Sequence, residues 1–575
     1  MNNKYIKFRI LLVGAIFIAA FAVIAARAVH LQVYRSTWLS QKASDQYEKS
    51  LTTSGQRGII YDRNLSEMAV SINVTSIAAY PAQVVNPGAT AKALARILNL
   101  DVRSLQSKLA SKKSFVWIKR QSTAKETSAV KDLETPGIEF VTEYNRFYPH
   151  TTLAAQVLGF SGIDGAGLEG IEFYYNQYLK GADFNYKVFK DALGNGFSSG
   201  IEQSTNTSGH NLVLTIDNNI QYIAESALKK AVDEYSALSG LALVMNPQTG
   251  AVLALAHYPF FNPNSYSDFE KSIWRNRALT DTFEPGSTMK IFSAAAALEH
   301  GKISPHQIFF CENGSYRIGK NVVHDIRKHA WLSLQQIVKF SSNIGAVKVG
   351  EEVGARKLHR TYSDFGFGQK TGIESPGEAP GNLSHYSTWS KIDTGAISFG
   401  HGVSASAIQL ITAVSAIANG GNLMKPFLVR EIVDQNGNLI KIFKPHKVRR
   451  AISARTATIV KNILKTVITE GGTGVNAALD GYTAGGKTGT ARKLDENGQY
   501  DQTRHTASFV GFAPADNAEI SVLVIIDEPQ DEYYGGIVAA PVFKQIAQQT
   551  LNYLNVPPDG GTTKLRVSRD DGAKG

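Results

Sequence analysis

The chain is 575 residues long, 43% hydrophobic and 19% charged, a balance that supplies a full apolar core and excludes disorder or a collagen-like repeat as its main description. Its formal net charge of +11 favours an anionic contact such as a lipid surface, nucleic acid or a carboxylate-rich polymer, without choosing among them. The single cysteine, Cys311, excludes an intrachain disulfide, a multi-cysteine zinc site and an iron–sulfur cluster. The 13 histidines contain no H-E-x-x-H, so no metal and no cofactor is expected, and Cys311 reads as a small core hydrophobe.

Lys4, Lys7 and Arg9 precede 17 uncharged residues, Ile10 to Ala26. As an α-helix that run is about 25 Å long. Ala28, Val29 and Leu31 extend it, and Arg27 can reach the interface with its charged head, so the segment covers a hydrocarbon core of about 30 Å. Ala26-Arg27-Ala28 offers a small-x-small cleavage site, but a secretory apolar core spans about 7–15 residues and this one is longer. An uncleaved, single-pass anchor over 10–31 is expected. The density of positive charge before it puts residues 1–9 in the cytoplasm and the rest of the chain outside. Nucleic acid drops out as a partner on that placement.

Residues 32–205 read as one mixed domain, with β-type runs at Gly58–Tyr61 and Ser76–Tyr80 and a basic stretch from Lys108 to Lys131. Asn195–Gly209, rich in glycine, serine and asparagine, reads as a linker. A second domain, 206–556, opens with a strand at Asn211–Asp217 and an amphipathic helix from Asn219. Leu241–Val244 and Val252–Ala256 form a hairpin across Asn246–Gly250, with further strands at Thr506–Phe512 and Ile520–Ile526 and a closing helix at Ala539–Leu554. The pattern predicts an α/β (α+β) fold with a mainly antiparallel sheet between helical layers. Residues 557–575 read as a disordered tail.

Ser287-Thr288-Met289-Lys290 follows the turn Glu284-Pro285-Gly286 and precedes the apolar helical run Ile291–Leu298. Residues i and i+3 share a helix face, so the Lys290 amine can reach the Ser287 hydroxyl at a helix N-terminus whose N–H groups stabilise negative charge. That is the arrangement of a nucleophile with an adjacent base. Burial lowers a lysine's pKa into the range useful to a base near neutrality. Ser122/Lys125, Ser128/Lys131 and Ser226/Lys229 share the spacing but read as solvated surface, without the turn and buried helix.

Ser341-Ser342-Asn343 lies between a helix at Leu332–Phe340 and another at Ile344–Glu352, where Ser341 can pass a proton and Asn343 can hold an amide. Ser71-Ile72-Asn73 and Ser204-Thr205-Asn206 match the same pattern by themselves. The third element is Lys487-Thr488-Gly489-Thr490, set in Gly485–Ala491 ahead of strand candidates. A strand edge there can pair with an extended peptide while lysine and threonine take its carboxylate and glycine leaves room for its backbone. Lys370-Thr371-Gly372 repeats the triplet but falls in a Gly- and Pro-rich run and reads as a loop turn.

Serine–lysine, serine–asparagine and lysine–threonine–glycine in this order form the signature of penicillin-binding proteins and class A β-lactamases. Over nearly its whole length the chain resembles class B penicillin-binding proteins of the cell-division, FtsI type. The resemblance is carried by Arg275–Lys290 (RNRALTDTFEPGSTMK) and Gly485–Ala491 (GGKTGTA), and by Arg57–Asn64, Arg146–Phe160 and Gly165–Glu172, which belong to that family's non-catalytic pedestal. Within the pedestal, Arg57, Arg63 and Arg146 face acids in Asp62, Glu169 and Glu172, expected to form a structural ion-pair network.

The resemblance implies a peptidoglycan D,D-transpeptidase with a transpeptidase domain on a dimerisation-type pedestal. Ser287 would attack the D-Ala-D-Ala bond of a donor stem peptide and pass the acyl group to an acceptor amine. Lys290 would take the Ser287 proton, Ser341 would help protonate the leaving amine, and Asn343 would hold the donor side chain. Lys487, Thr488 and Thr490 would bind the terminal carboxylate beside Gly489, and the backbone N–H groups of Ser287 and Thr490 would form the oxyanion hole. β-Lactams would acylate the same serine. The family further implies a place in the inner membrane at the division septum, with an FtsW-like glycan polymerase and other divisome proteins as partners. Excess positive charge then suits anionic lipid and carboxylate-bearing wall polymer.

The Ser-Ser-Asn form of the second motif fits class B enzymes rather than class A β-lactamases, which are also shorter. His401 departs from the family, where Gln or Tyr is frequent, and bears on the cleft rim. A class A protein needs a glycosyltransferase domain for which the pedestal has no room, and a β-lactam receptor needs several membrane spans. A non-catalytic scaffold is disfavoured by three intact motifs. The elongation-type class B enzyme is the nearest alternative.

Overall fold

A computed structural model of the chain describes residues 3–39, 42, 48–190, 196–198, 208–300, 303–495 and 498–559. Most of the linker expected over 195–209, and the tail beyond Asp559, lie outside the described residues. The chain forms two compact units. One comprises residues 1–56, 72–145 and 182–207, the other 57–71, 146–181 and 208–575.

The first unit opens with helix α1, Asn3–Val29, continued by a π-helical turn at His30–Tyr34. Within Lys4–Tyr34 an 18-residue stretch reaches a mean hydropathy of 2.6, and the helix is long and apolar enough to cross a membrane. Its large side chains, Leu11, Phe17 and Ile18 among them, are exposed, as a span facing lipid requires. Further along, Thr75–Ala79 pair antiparallel with Val116–Ser122. The helices Pro87–Leu98, Val102–Leu109 and Ala124–Lys131 start at Asn86, Asp101 and Thr123, each of which caps an N-terminal N–H with its side chain. Their apolar faces meet Ile77 and Ile118 in a core with Leu94, Leu98 and Leu105. Ser122, expected on a solvated surface, is instead buried: its hydroxyl donates to Thr75 O at 2.6 Å and lies 2.9 Å from that of Thr127.

In the second unit, Arg57 and Arg146 both pair with the fully buried Glu172, at 2.5 and 2.6 Å, the network expected from sequence. Its other members sort differently. Asp62 accepts N–H groups from Asn64, Ser66 and Asn218, and Arg63 lies 4.0 Å from Asp217.

Strand β1, Asn211–Leu214, stops short of the expected Asp217 because Asp217 turns to cap helix α2, Asn218–Glu234. The main sheet is wholly antiparallel. Strand β2 (Ser239–Met245) pairs with β3 (Val252–Tyr258), the expected hairpin. The edge strand β4 (Gly485–Leu494) pairs with β5 (Tyr500–Ala513). Strand β6 (Ile520–Asp527) joins β5 to β2, giving the order β3-β2-β6-β5-β4. Helices cover both faces, so the strands read as continuous apolar runs that divide by period two. Ala242, Val244, Val522, Val524 and Phe509 face α2 and the C-terminal helix Ala540–Tyr553, while Leu243, Leu523 and Val510 lie on the opposite face, against which the helix Ala407–Ala418 packs.

Candidate active site

Gly286–Met289 form a 3₁₀ turn that runs into helix α3, Lys290–His300. In a 3₁₀ turn residues i and i+3 eclipse, which stacks Lys290 over Ser287. Residues Lys290 to Ala297 are all buried, so the core fixes the helix and thereby the lysine. The turn is clamped from behind by Gly400, where a Cβ would lie 2.0 Å from Gly286 O.

The Lys290 Nζ is the hub. Within hydrogen-bond distance of it lie Ser287 Oγ at 3.0 Å, Ser341 O at 2.7 Å, Ser341 Oγ at 3.1 Å and Asn343 Oδ1 at 2.7 Å. Burial pushes its pKa down to about 7, against the opposing pull of Asp325. A neutral amine within 3.0 Å of a half-buried hydroxyl can accept that hydroxyl's proton.

The second motif sits at a break between helices α4 (Leu334–Phe340) and α5 (Asn343–Val353). Ser333 opens α4 with a capping box, and Ser341 ends it in the left-handed conformation, φ 60°. Ser342 caps α5 by accepting Gly345 N–H at 2.9 Å. Asp325, absent from the sequence reading, organises this break. It accepts the Ser342 hydroxyl at 2.6 Å and the N–H groups of Asn343 and Ile344 at 2.5 and 3.0 Å, a carboxylate at a helix N-terminus. The Asn343 amide is held on both sides: Nδ2 donates to His324 O at 3.0 Å while Oδ1 accepts from Lys290.

The third motif lies on β4, whose only strand neighbour among the described residues is β5, leaving an edge as expected. Lys487 is fully buried, and Nζ donates to Ser341 Oγ at 3.1 Å and to Thr488 Oγ1 at 3.2 Å. Two lysines thus share one serine hydroxyl. Burial, and secondarily the Lys290 charge, hold the Lys487 amine well below its ordinary range. Thr488 Oγ1 donates to Thr473 Oγ1 at 3.0 Å, a second hydroxyl that no motif marks. Thr490 Oγ1 accepts Gly535 N–H at 3.1 Å. A Cβ at Gly489 would stand 2.3 Å from Ser508 Oγ and 3.0 Å from Thr288 Cγ2, so glycine lets the strand lie against the nucleophile's turn.

The structure therefore brings Ser287, Lys290, Ser341, Asn343, Lys487 and Thr488 into one hydrogen-bonded cluster, with Gly489 and Thr490 on the strand beside it. The decoys fall elsewhere. Ser128 and Ser226 are exposed. Thr371 and Gly372 in the repeated triplet wrap the carboxylate of Glu378, with Thr371 N–H and hydroxyl at 2.6 Å. Among the described residues no group of three or more His, Cys, Asp or Glu could hold a metal ion.

Behind the nucleophile, Arg277 bridges Asp281 at 3.0 Å and Asp527 at 3.1 Å, and Lys493 reaches Asp527 at 3.1 Å. These pairs tie the segment before Ser287 to the sheet along the wall of a cavity of about 930 Å³. His257 lines it, held neutral by burial at a pKa of about 3 and accepting Ala278 N–H at 3.3 Å.

Residues 240–548 match the family described as penicillin binding protein transpeptidase domain, and residues 52–214 the penicillin-binding protein dimerisation domain. Over 562 residues the chain is 34% identical to a probable peptidoglycan D,D-transpeptidase PbpC of Pseudomonas aeruginosa, covering 97% of each chain. It is 32% identical over 570 residues to the peptidoglycan D,D-transpeptidase FtsI of Escherichia coli K12, covering 98% of this chain and 94% of that one. Among solved structures, penicillin-binding protein 3 of Mycobacterium tuberculosis, complexed with aztreonam, superposes with a TM-score of 0.70 at 27% identity, over 88% of this chain and 98% of that one. With matched domains over both units and relatives aligned along its whole length, the chain belongs to the class B penicillin-binding proteins and is a peptidoglycan D,D-transpeptidase.

Proposed function

We propose that cross-linking proceeds through an acyl-enzyme on Ser287 and serves septal wall synthesis at cell division. The observation that carries the chemistry is the Lys290 Nζ, held within hydrogen-bond distance of Ser287 Oγ, Ser341 Oγ and Asn343 Oδ1 with its pKa brought down to about 7. In its neutral form Lys290 accepts the Ser287 proton as Oγ attacks the carbonyl carbon of the penultimate D-alanine. The backbone N–H groups of Ser287 and Thr490 stabilise the oxyanion. The C–N bond then breaks, and the leaving D-alanine takes a proton relayed through Ser341, whose hydroxyl touches both lysines. An acceptor amine attacks the ester, loses its proton to the same base and restores the Ser287 hydroxyl. Asn343 holds the donor's side chain. Because Lys487 is fully buried, it acts on the donor's terminal carboxylate through Thr488, with Thr490 alongside and Gly489 leaving space for the peptide. β-Lactams enter the same route and stop at the acyl-enzyme.

On this reading the chain divides into a cytoplasmic start (1–9), an anchor (10–31), a pedestal (32–205), a catalytic domain (206–556) and a tail (557–575). Its apolar helix fixes it in the inner membrane, with an FtsW-like glycan polymerase and other divisome proteins as partners. The septal role is supported by the FtsI relatives that align over 98% of the chain. Its test is the position of a fluorescently tagged full chain in growing cells of its host. A band at mid-cell is expected; a lateral-wall pattern contradicts it in favour of the elongation-type role.

A further inference from the structure

Glu284 stands three residues before Ser287, and three separate segments meet at its carboxylate. Tyr500 O–H donates to both oxygens, at 3.1 and 2.9 Å. Gly402 N–H donates to Oε1 at 2.9 Å. His401 Nδ1 lies 3.4 Å from Oε2 and 2.9 Å from the Tyr500 hydroxyl, and the two rings meet edge to face, 5.2 Å apart.

Each segment borders the catalytic cluster. Glu284 belongs to the turn that presents Ser287. His401 and Gly402 follow Gly400, which packs against that turn. Tyr500 opens β5 and pairs with Leu494 at the outer end of β4, the strand that carries Lys487 to Thr490. The inner part of β4 is fixed without help: Gly485 to Gly489 are buried and paired in regular register, and Gly535 fastens Thr490. The outer part departs from that register between Arg492 and Leu494, and Lys493 ties it to Asp527 and Glu528 on the side of the sheet. At the cleft rim the Glu284 carboxylate joins the nucleophile's turn to Tyr500 and to the His401–Gly402 segment. Burial and the neighbouring carboxylate push the Tyr500 phenol up, so it stays a donor.

Resting on the reading of Ser287 as nucleophile, we propose that Glu284, Tyr500 and His401 form a clasp at the outer end of the donor cleft. Tyr500 and Glu284 are then positioning residues that set the width at which an extended acyl donor seats along the β4 edge. An edge strand recognises a peptide through its backbone, and small changes in the facing wall are felt first as lost binding. The Ser287–Lys290 pair is built separately, by the 3₁₀ turn and the buried helix, so the clasp acts on donor binding rather than on the chemical step.

The test is steady-state kinetics of the full-length protein in detergent with a thioester analogue of a D-Ala-D-Ala donor. Tyr500→Phe deletes one hydroxyl and is the decisive variant. Its KM is expected to rise about 3- to 10-fold, the scale of one ordinary hydrogen bond in a solvent-accessible place, with kcat within about twofold. Glu284→Ala is expected to raise KM at least as much, and the double variant no further, because both changes break the same link. Glu284→Gln restores most of the loss, since its carbonyl still accepts from Tyr500 and Gly402. An unchanged KM in Tyr500→Phe, a fall confined to kcat, or additive effects in the double variant overturns the clasp. A wild-type protein that turns over the donor but is acylated elsewhere than Ser287 overturns the underlying assignment, a result separate from these.

Discussion

Lys290 is the residue on which the chemistry turns, and its environment fixes a pH dependence. The group has to be neutral to accept a proton, and burial places its pKa near 7. Acylation by a β-lactam should therefore accelerate about tenfold between about pH 6 and 8 and then level off. A rate that is flat or falls across that range would contradict a lysine base. The same depression bears on stability. Between about 7 and the ordinary 10.5 the folded state binds fewer protons at this site than the unfolded one, so the contribution of Lys290 to stability rises with pH through that window. The Ser287–Lys290 pair was legible from sequence because one turn of helix fixes their separation. Asp325 was not. It meets Ser342 and Asn343 across 17 and 18 positions with no spacing to mark it, and Thr473 meets Thr488 across 15. Such partners become visible only when the chain folds back on itself.

At the scale of elements, apolar runs and caps located most of the fold. The hairpin, the strands of the main sheet and the closing helix lie where the periodicity put them, with edges shifted by a few residues. The misses have local causes. The first strand ends early because Asp217 serves the next helix as its cap. Ser122 departs from the expected solvated surface because its hydrophilic neighbours hide a strand in which Val116, Ile118 and Ser122 are buried. Helix α2 also carries a polar group in an apolar place. Glu225 is buried, accepts Ala154 N–H and the Gln221 amide at 2.8 Å each, and has its pKa raised by burial to about 7. The folded state there binds more protons than the unfolded one between the ordinary 4.5 and about 7, so this carboxyl's contribution to stability is lost as pH rises through that window. Glu225→Gln keeps a carbonyl acceptor and removes the titration. It should raise the Tm at about pH 8 by several degrees and change it little at about pH 5. An equal shift at both values would show that titration is not the cause.

For the whole molecule, the two units and the N-terminal helix give an enzyme whose three motifs, spread over some 200 residues of sequence from Ser287 to Thr490, converge on two lysines and one serine hydroxyl. The net charge of +11 left three anionic partners open at the outset. On the proposed placement outside the membrane, that charge suits lipid headgroups and the carboxylates of the peptidoglycan substrate. What neither composition nor periodicity could supply is convergence: each motif had decoys of the same spacing, and only the packing of α3, α4, α5 and β4 separates the working copies from Ser226 on an exposed face or Thr371 wrapped around Glu378. The most direct measurement is therefore peptide-mapping mass spectrometry of the full-length protein after treatment with benzylpenicillin, beside the Ser287→Ala, Ser122→Ala and Ser226→Ala variants. One penicilloyl adduct on the peptide containing Ser287, absent from Ser287→Ala and retained in the other two, is the predicted result. An adduct on another residue, or one that survives Ser287→Ala, would contradict the account.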